Sequence, residues 1–335
     1  MPSHPALRWG ILGLGNIAKA FAKGLTSTTE GRLVAVGSRT QATAEAFARE
    51  HGGRAHGSYQ ALVADPEVDA VYISTPHPQH LEAALLCLRA GKAVLCEKPL
   101  AVNAVQAAEM VRVAKQERRF LMEAMWTRFL PAMVQCRAWL AAGMIGQPRM
   151  MHADFGFRCG WDPKSRLLDP ASAGGGLLDV GVYAVALSTM VFGSKPRSIK
   201  ALAHLGETQV DEQTVMVASW EGGGLATLSS AVRTETPHTA WIAGTDGRIE
   251  LPQFWHGKIA ILHRPGQPAL TLEPDFVGNG YQYQAEEAAR CIAQGAIESP
   301  IMSHAESIDI ATFMDRVRQD IGLRYPMDAR ASAGA

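Results

Sequence analysis

The chain has 335 residues, 47% of them hydrophobic and 19% charged, the profile of a globular protein with two domains and ample core. Its 32 basic side chains balance 32 acidic ones. A net charge of zero gives no excess to grip a nucleic-acid backbone or an anionic membrane, so neither partner is expected.

The first third alternates strands and helices. "LRWGILGLG" (7–15) reads as a strand ending in a glycine turn, and "NIAKAFAKGLTS" (16–27) as a helix. "GRLVAVGSR" (31–39) is a second strand and "TQATAEAFAREHG" (40–52) a second helix. "DAVYISTP" (69–76), "AVLCEKP" (93–99) and "FLMEAMW" (120–126) read as further strands, separated by helices over 77–92 and 103–119. This alternation predicts right-handed βαβ units and an N-terminal, doubly wound parallel sheet over residues 1–125.

Beyond about residue 147 the pattern changes. Short segments follow one another: "RMMHADFGFR", "SIKALAHL", "TVMVASW", "LATLSSAVRT", "TAWIAG", "GRIEL", "KIAILHR" and "ALTLE". Turn signals such as "EGGG" and "TDG" join several of them, which predicts a large, mostly antiparallel open sheet in an α+β domain over 126–335. Helices are expected at "LDVGVYAVAL" (178–187), "YQYQAEEAARCIAQG" (281–295) and "SHAESIDIATFMDRVRQDIG" (303–322). The last opens with Ser303 and Glu306 at capping-box spacing and is a candidate to pack back on the first domain. The tail "DARASAGA" is expected to fray.

The five cysteines, Cys87, Cys96, Cys136, Cys159 and Cys291, are scattered without a C-x-x-C pair. That points to reduced thiols in a cytoplasmic protein, not to a disulfide framework or a metal site. The opening "MPSHPALRWGILGLG" has no basic segment ahead of a long apolar core, and no apolar run reads as long enough to span a membrane. Neither a leader peptide nor a membrane anchor is expected.

"GLGNIA" (13–18) follows a predicted strand and opens a predicted helix. Gly13 permits a tight turn and Gly15 lets a pyrophosphate approach the backbone. Asn16 and Ile17 begin a helix whose N–H groups face the phosphates, and Ala18 keeps helix and strand close. In a first βαβ unit this is a dinucleotide site. Where an NAD site places an acid, the second strand ends in Ser38 and Arg39. A guanidinium grips a 2′-phosphate that a carboxylate repels, so NADP is favoured, with NAD as the alternative and a surface arginine as the plain reading. Thr75, His77 and His80 follow the third predicted strand at its carboxyl end, where cofactors sit in open parallel sheets. "HPQH" offers no third metal ligand.

Asp179 and Tyr183 are the two polar groups of an otherwise apolar decapeptide. In an α-helix their spacing of four puts them on one face, one turn apart. Alone, this is a core helix with one hydrogen-bonded tyrosine.

"LCEKPL" (95–100), with "GSYQAL", "HPQH", "MEAMWTRFLPA", "GGGLLDVGVY" and "MVFG", resembles the glucose–fructose oxidoreductase/inositol dehydrogenase (Gfo/Idh/MocA) family essentially end to end. Within it the likeness is to the dihydrodiol/D-xylose dehydrogenase branch. The resemblance implies a Rossmann domain and an NADP-dependent oxidoreductase, while the uncovered face of the predicted open sheet implies a homodimer. It implies a small polyhydroxy substrate: a sugar, a keto-sugar or a trans-dihydrodiol. It makes Tyr183 the proton-transfer residue and Lys98 its electrostatic partner, after a cis bond before Pro99. It places Asp179, Trp126, Phe155, Arg158 and Trp161 near substrate, and Glu97, Lys98, Trp126, Arg128 and Tyr283 near the cofactor. Tyr283 reads equally as a core tyrosine. "RCGWDP" departs from the animal dihydrodiol enzymes, which leaves the substrate open. The alternatives from other classes are a non-catalytic NADP-binding regulator and an NAD-assisted glycosidase.

Overall fold

The computed structural model describes residues 5–193 and 195–328, so the tail from residue 329 lies outside the described residues. The chain divides into two compact units: residues 1–101, 105–129 and 277–307, and residues 102–104, 130–276 and 308–335. The first unit therefore draws in a stretch, Val277–Ser307, that lies beyond any boundary near residue 125.

In the first unit, six parallel strands stand in the order β3-β2-β1-β4-β5-β6. They are β1 (Leu7–Leu12), β2 (Gly31–Gly37), β3 (Arg54–His56), β4 (Ala70–Ile73), β5 (Ala93–Glu97) and β6 (Leu121–Ala124). The order reverses between β1 and β4, so the loops after these two strands border the switch point where such sheets bind ligands. The strands are near-continuous apolar runs because helices cover both faces. Helix α1 (Asn16–Leu25) lays Phe21 flat on Tyr72, with centroids 3.8 Å apart, while Trp9 meets Phe21 edge-on. Thr40 caps α2 (Gln41–His51) by accepting the Thr43 N–H. The strand β3 and α3 (Tyr59–Ala64) escape sequence reading because both are too short to show a period. The remaining helices of this unit are α4 (His80–Arg89) and α8 (Tyr281–Ala293), with most of α5 (Ala104–Glu117). A Cβ at Gly24 of α1 would meet the Tyr281 Cβ at 2.9 Å, so this glycine lets α8 pack on α1.

The second unit holds an eight-stranded sheet in the order β14-β13-β12-β11-β7-β10-β9-β8. Its strands are β7 (Pro148–Gly156), β8 (Ser198–Leu205), β9 (Asp211–Ser219), β10 (Leu225–Ala231), β11 (Ala240–Gly244), β12 (Arg248–Leu251), β13 (Ala260–His263) and β14 (Leu270–Leu272). Pairing is antiparallel except between β7 and β10. Helix α6 (Pro131–Ala141) was not legible, since apolar residues lie all around it. Helix α9 (His304–Ile321) begins as its capping box predicts, with Ser303 Oγ accepting the Glu306 N–H at 3.2 Å.

Two expectations need correction. The decapeptide is not one α-helix: Leu177–Gly181 form a π turn, and α7 (Val182–Phe192) starts after it. The Leu177 N–H donates to Asp211 Oδ2 at 2.7 Å, which ties the start of the turn to β9. Secondly, a helical stretch Pro170–Phe192, 23 residues long, is apolar and long enough to cross a membrane, but 83% of its most apolar window is buried inside the protein. A helix apolar on all sides is a core helix when packed this way.

Candidate active site

Most of the residues expected at the cofactor lie in the first unit. Gly13 has φ +89°, and a Cβ there would lie 2.8 Å from the Thr75 amide nitrogen, so only glycine allows β1 to turn against the end of β4. Ser74 Oγ donates to the Gly13 carbonyl at 2.7 Å and locks that approach. A Cβ at Gly15 would meet nothing within 4 Å, which leaves open space beside the first amides of α1. Asn16 and Ile17 are exposed at that helix start. The Thr75 hydroxyl is buried and has no hydrogen-bond partner. Open space, free helix amides and a partnerless hydroxyl suit a dinucleotide phosphate group.

Ser38 and exposed Arg39 close β2. The Ser38 N–H donates to the His56 carbonyl at 3.1 Å. Burial pushes the Tyr59 phenol up, while the nearby Arg39 charge works the other way. Tyr59 is thus a neighbour of Arg39 that sequence reading missed.

His80 is fully buried, with Nε2 2.9 Å from the Thr75 carbonyl and Nδ1 2.9 Å from the Pro99 carbonyl. Burial pushes its pKa down. It staples the end of β4 to the turn that carries Lys98, whereas half-buried His77 stands 5.7 Å from it, edge to face. Glu97 is held by the Tyr72 hydroxyl, and the Lys98–Pro99 bond is cis, as the resemblance implies. Arg128 is buried in an ion pair with Glu306 at 2.6 Å, which makes it part of the scaffold of this unit. Trp126 stacks on Tyr281, centroids 4.6 Å apart, and the Tyr283 hydroxyl accepts the Val277 N–H.

Behind this turn lies Glu123, 2% exposed, whose Oε1 accepts the Leu100 N–H at 3.0 Å. Burial pushes its carboxyl up to about 7, against the pull of Ser307, the Leu100 amide and Arg128. An acid raised by folding contributes its full stability below its ordinary value of 4.5 and loses it as pH climbs through about 7. Between about pH 5 and about pH 8 the wild-type protein should therefore lose roughly 3 kcal/mol that Glu123→Gln does not. Parallel pH dependence of the two melting temperatures would remove Glu123 from this account.

The residue expected to transfer the proton lies in the second unit. A Cβ at Gly174 would lie 2.7 Å from the Leu167 carbonyl, so glycine here lets the 157–169 loop pass against the start of the helical stretch. Arg166, on that loop, donates from Nη1 to Asp179 Oδ1 at 2.8 Å. Arg166 is half exposed and Asp179 nearly buried. Tyr183, also buried, stands 5.6 Å from Phe155 and 6.5 Å from Trp255 between ring centroids. Phe155 and Trp255 stack at 4.5 Å with 11° between planes. Exposed Arg158 pairs in a lone bridge with Arg233, whose guanidinium lies over the ring of exposed Trp161 at 5.6 Å. Arg166, Trp255 and Tyr281 were missed by sequence reading. A tryptophan in the polar turn "PQFWHG" was the one local signal among them.

The family model "Oxidoreductase family, NAD-binding Rossmann fold" matches residues 7–125, and the Gfo/Idh/MocA C-terminal domain model matches residues 133–250. The chain is 40% identical to mouse (Mus musculus) trans-1,2-dihydrobenzene-1,2-diol dehydrogenase over 97% of its length and 100% of the relative's. The human (Homo sapiens) protein of that name is 38% identical, over 97% and 100%. A 3-ketoreductase from Actinomadura kijaniata, solved with NADP and TDP-benzene, superposes with a TM-score of 0.84 at 25% identity, covering 94% of this chain and 98% of that one.

Proposed function

Because the chain belongs to the Gfo/Idh/MocA family of NAD(P)-dependent oxidoreductases, we propose that it moves a hydride between NADP and a carbinol or carbonyl carbon of a sugar, a keto-sugar or a trans-dihydrodiol. Bound NADP supplies the hydride donor or acceptor. Tyr183 takes the hydroxyl proton in oxidation and returns it in reduction. An isolated phenol, with a pKa of about 10, is a poor base near neutrality. The Lys98 ammonium favours the phenolate and the alkoxide-like transition state. Asp179, oriented by Arg166, accepts a second substrate hydroxyl. Phe155 and Trp255 border the ring of the substrate.

One observation carries this reading: a buried phenol on an otherwise apolar helix, flanked by an ion-paired carboxylate and an aromatic stack. A panel of aldoses, inositols and dihydrodiols, run with NADP and NADPH, tests it. Cofactor binding with no turnover of any compound would favour a regulator. Release of an aglycone without net reduced cofactor would favour a glycosidase.

A cytoplasmic location and a homodimer belong to the same proposal. Met150, Leu202, Val215, Val217 and Leu225 are exposed large apolar side chains of β7, β8, β9 and β10. Such a patch supports self-association across a two-fold axis. Sedimentation should give a dimer whose dissociation follows Leu202→Glu with Val217→Glu; a wild-type monomer sinks the idea.

A further inference from the structure

His238 sits in the loop before β11 with φ +61°, in the left-handed region. Its N–H donates to Asp154 Oδ2 at 2.8 Å, and its carbonyl accepts the Phe254 N–H at 3.1 Å, so the residue is fixed on both sides. Asp154 also accepts the Thr239 N–H at 3.0 Å and the Thr239 hydroxyl at 2.9 Å. Burial pushes the Asp154 carboxyl up, but the donors from Thr236, His238 and Thr239 outweigh it and hold it below the usual carboxylate range.

The imidazole is fixed as firmly as the backbone. Nε2 lies 2.6 Å from the Gly156 carbonyl, which can only accept, so Nε2 carries a hydrogen. The Trp255 indole N–H can only donate, and it lies 3.3 Å from Nδ1, so Nδ1 is bare. The ring is a neutral Nε2–H tautomer whose one acceptor holds Trp255. It also packs edge-on against Phe155, centroids 4.8 Å apart.

We propose that His238 is a positioning residue: it aims the Trp255 indole, and so sets the aromatic wall that receives the ring face of the substrate beside Tyr183. The role of the wall rests on the oxidoreductase reading; the hold on Trp255 does not. The titratable groups around this ring are Asp154 on the main-chain side, with His152 3.4 Å beyond it, and His256, whose ring lies 4.0 Å from Trp255. Tyr183 stands across Phe155.

Three variants separate positioning from mere structure. His238→Gln offers an amide N–H to Gly156 and an oxygen to Trp255, in a left-handed backbone conformation that His adopts more readily than Gln. His238→Ala removes both bonds. Trp255→Phe keeps a ring and removes the donor. In tryptophan fluorescence at neutral pH, His238→Ala should shift an emission component that is missing from Trp255→Phe and kept in His238→Gln. Superimposable emission spectra of His238→Ala and wild type would overturn the hydrogen-bond assignment, and this arm needs no substrate. With NADP and trans-1,2-dihydrobenzene-1,2-diol as the probe, His238→Ala should raise KM about tenfold at nearly constant kcat, with His238→Gln near wild type. A KM unmoved by His238→Ala, or a defect that Gln shares, overturns the positioning role. Failure of the wild-type protein to turn over the diol counts against the substrate reading alone, and the fluorescence result then decides for His238.

Discussion

Replacing Tyr183 with Phe is expected to lower kcat about a thousandfold while leaving the affinity for NADP unchanged, the middle of the range for loss of a positioned acid–base group. The substitution removes one oxygen and keeps the ring, so the contacts with Phe155 and Trp255 survive. Folding should be little affected. Affinity for NADP is the discriminating control, since the glycine loop, Ser38 and Arg39 all lie in the first unit and Tyr183 in the second. The pH–rate profile adds a second check: the ionisation that limits wild-type oxidation at low pH should vanish in the residual activity. Retention of kcat within threefold would assign the proton to another group, and Asp179 would be the first to test.

The second large effect is expected at Arg39. Arg39→Ala should weaken NADP about a hundredfold and leave NAD nearly untouched, because a charge-assisted, bidentate contact to phosphate contributes roughly 2–3 kcal/mol. The side chain is exposed at the end of β2, and its charge is felt at Tyr59 on the neighbouring α3. Its loss should therefore cost the core nothing. Fluorescence titration with both cofactors measures the ratio directly. Equal weakening of the two would place Arg39 on a part they share, and the preference for NADP would need another cause.

The parallel strands, their order of appearance and the glycine turn were legible in the sequence because each is a local signal: an apolar run, a period or a pair of glycines. Gly13 and Gly15 also illustrate two different needs, one steric against Thr75 and one for open space, which a motif alone merges. What stayed hidden was assembled from afar. Arg166 meets Asp179 across 13 residues and Trp255 meets His238 across 17, and no period announces either pair. Tyr281 and Tyr283 are equivalent on paper; only the packing of α8 decides which ring faces Trp126. His80 and Arg128 look like ligand-facing groups in the motif, yet burial commits them to a staple and an ion pair. The helix of "LDVGVYAVAL" was legible, but its first turn was not, since the Asp211 carboxylate that takes the Leu177 amide lies 34 residues on.

That first turn gives the helix a phase as well as a composition. A π turn closes over one residue more than an α turn. Deleting Val180 or Gly181 would let the ladder continue as unbroken α-helix, so the fold has an easy way to absorb the loss. Asp179 would nonetheless stand three residues from Tyr183 instead of four, offset from it by about 60° around an α-helical axis. Chain length within Leu177–Gly181 therefore sets the offset between the Asp179 carboxylate and the Tyr183 phenol, whichever side chains the turn carries.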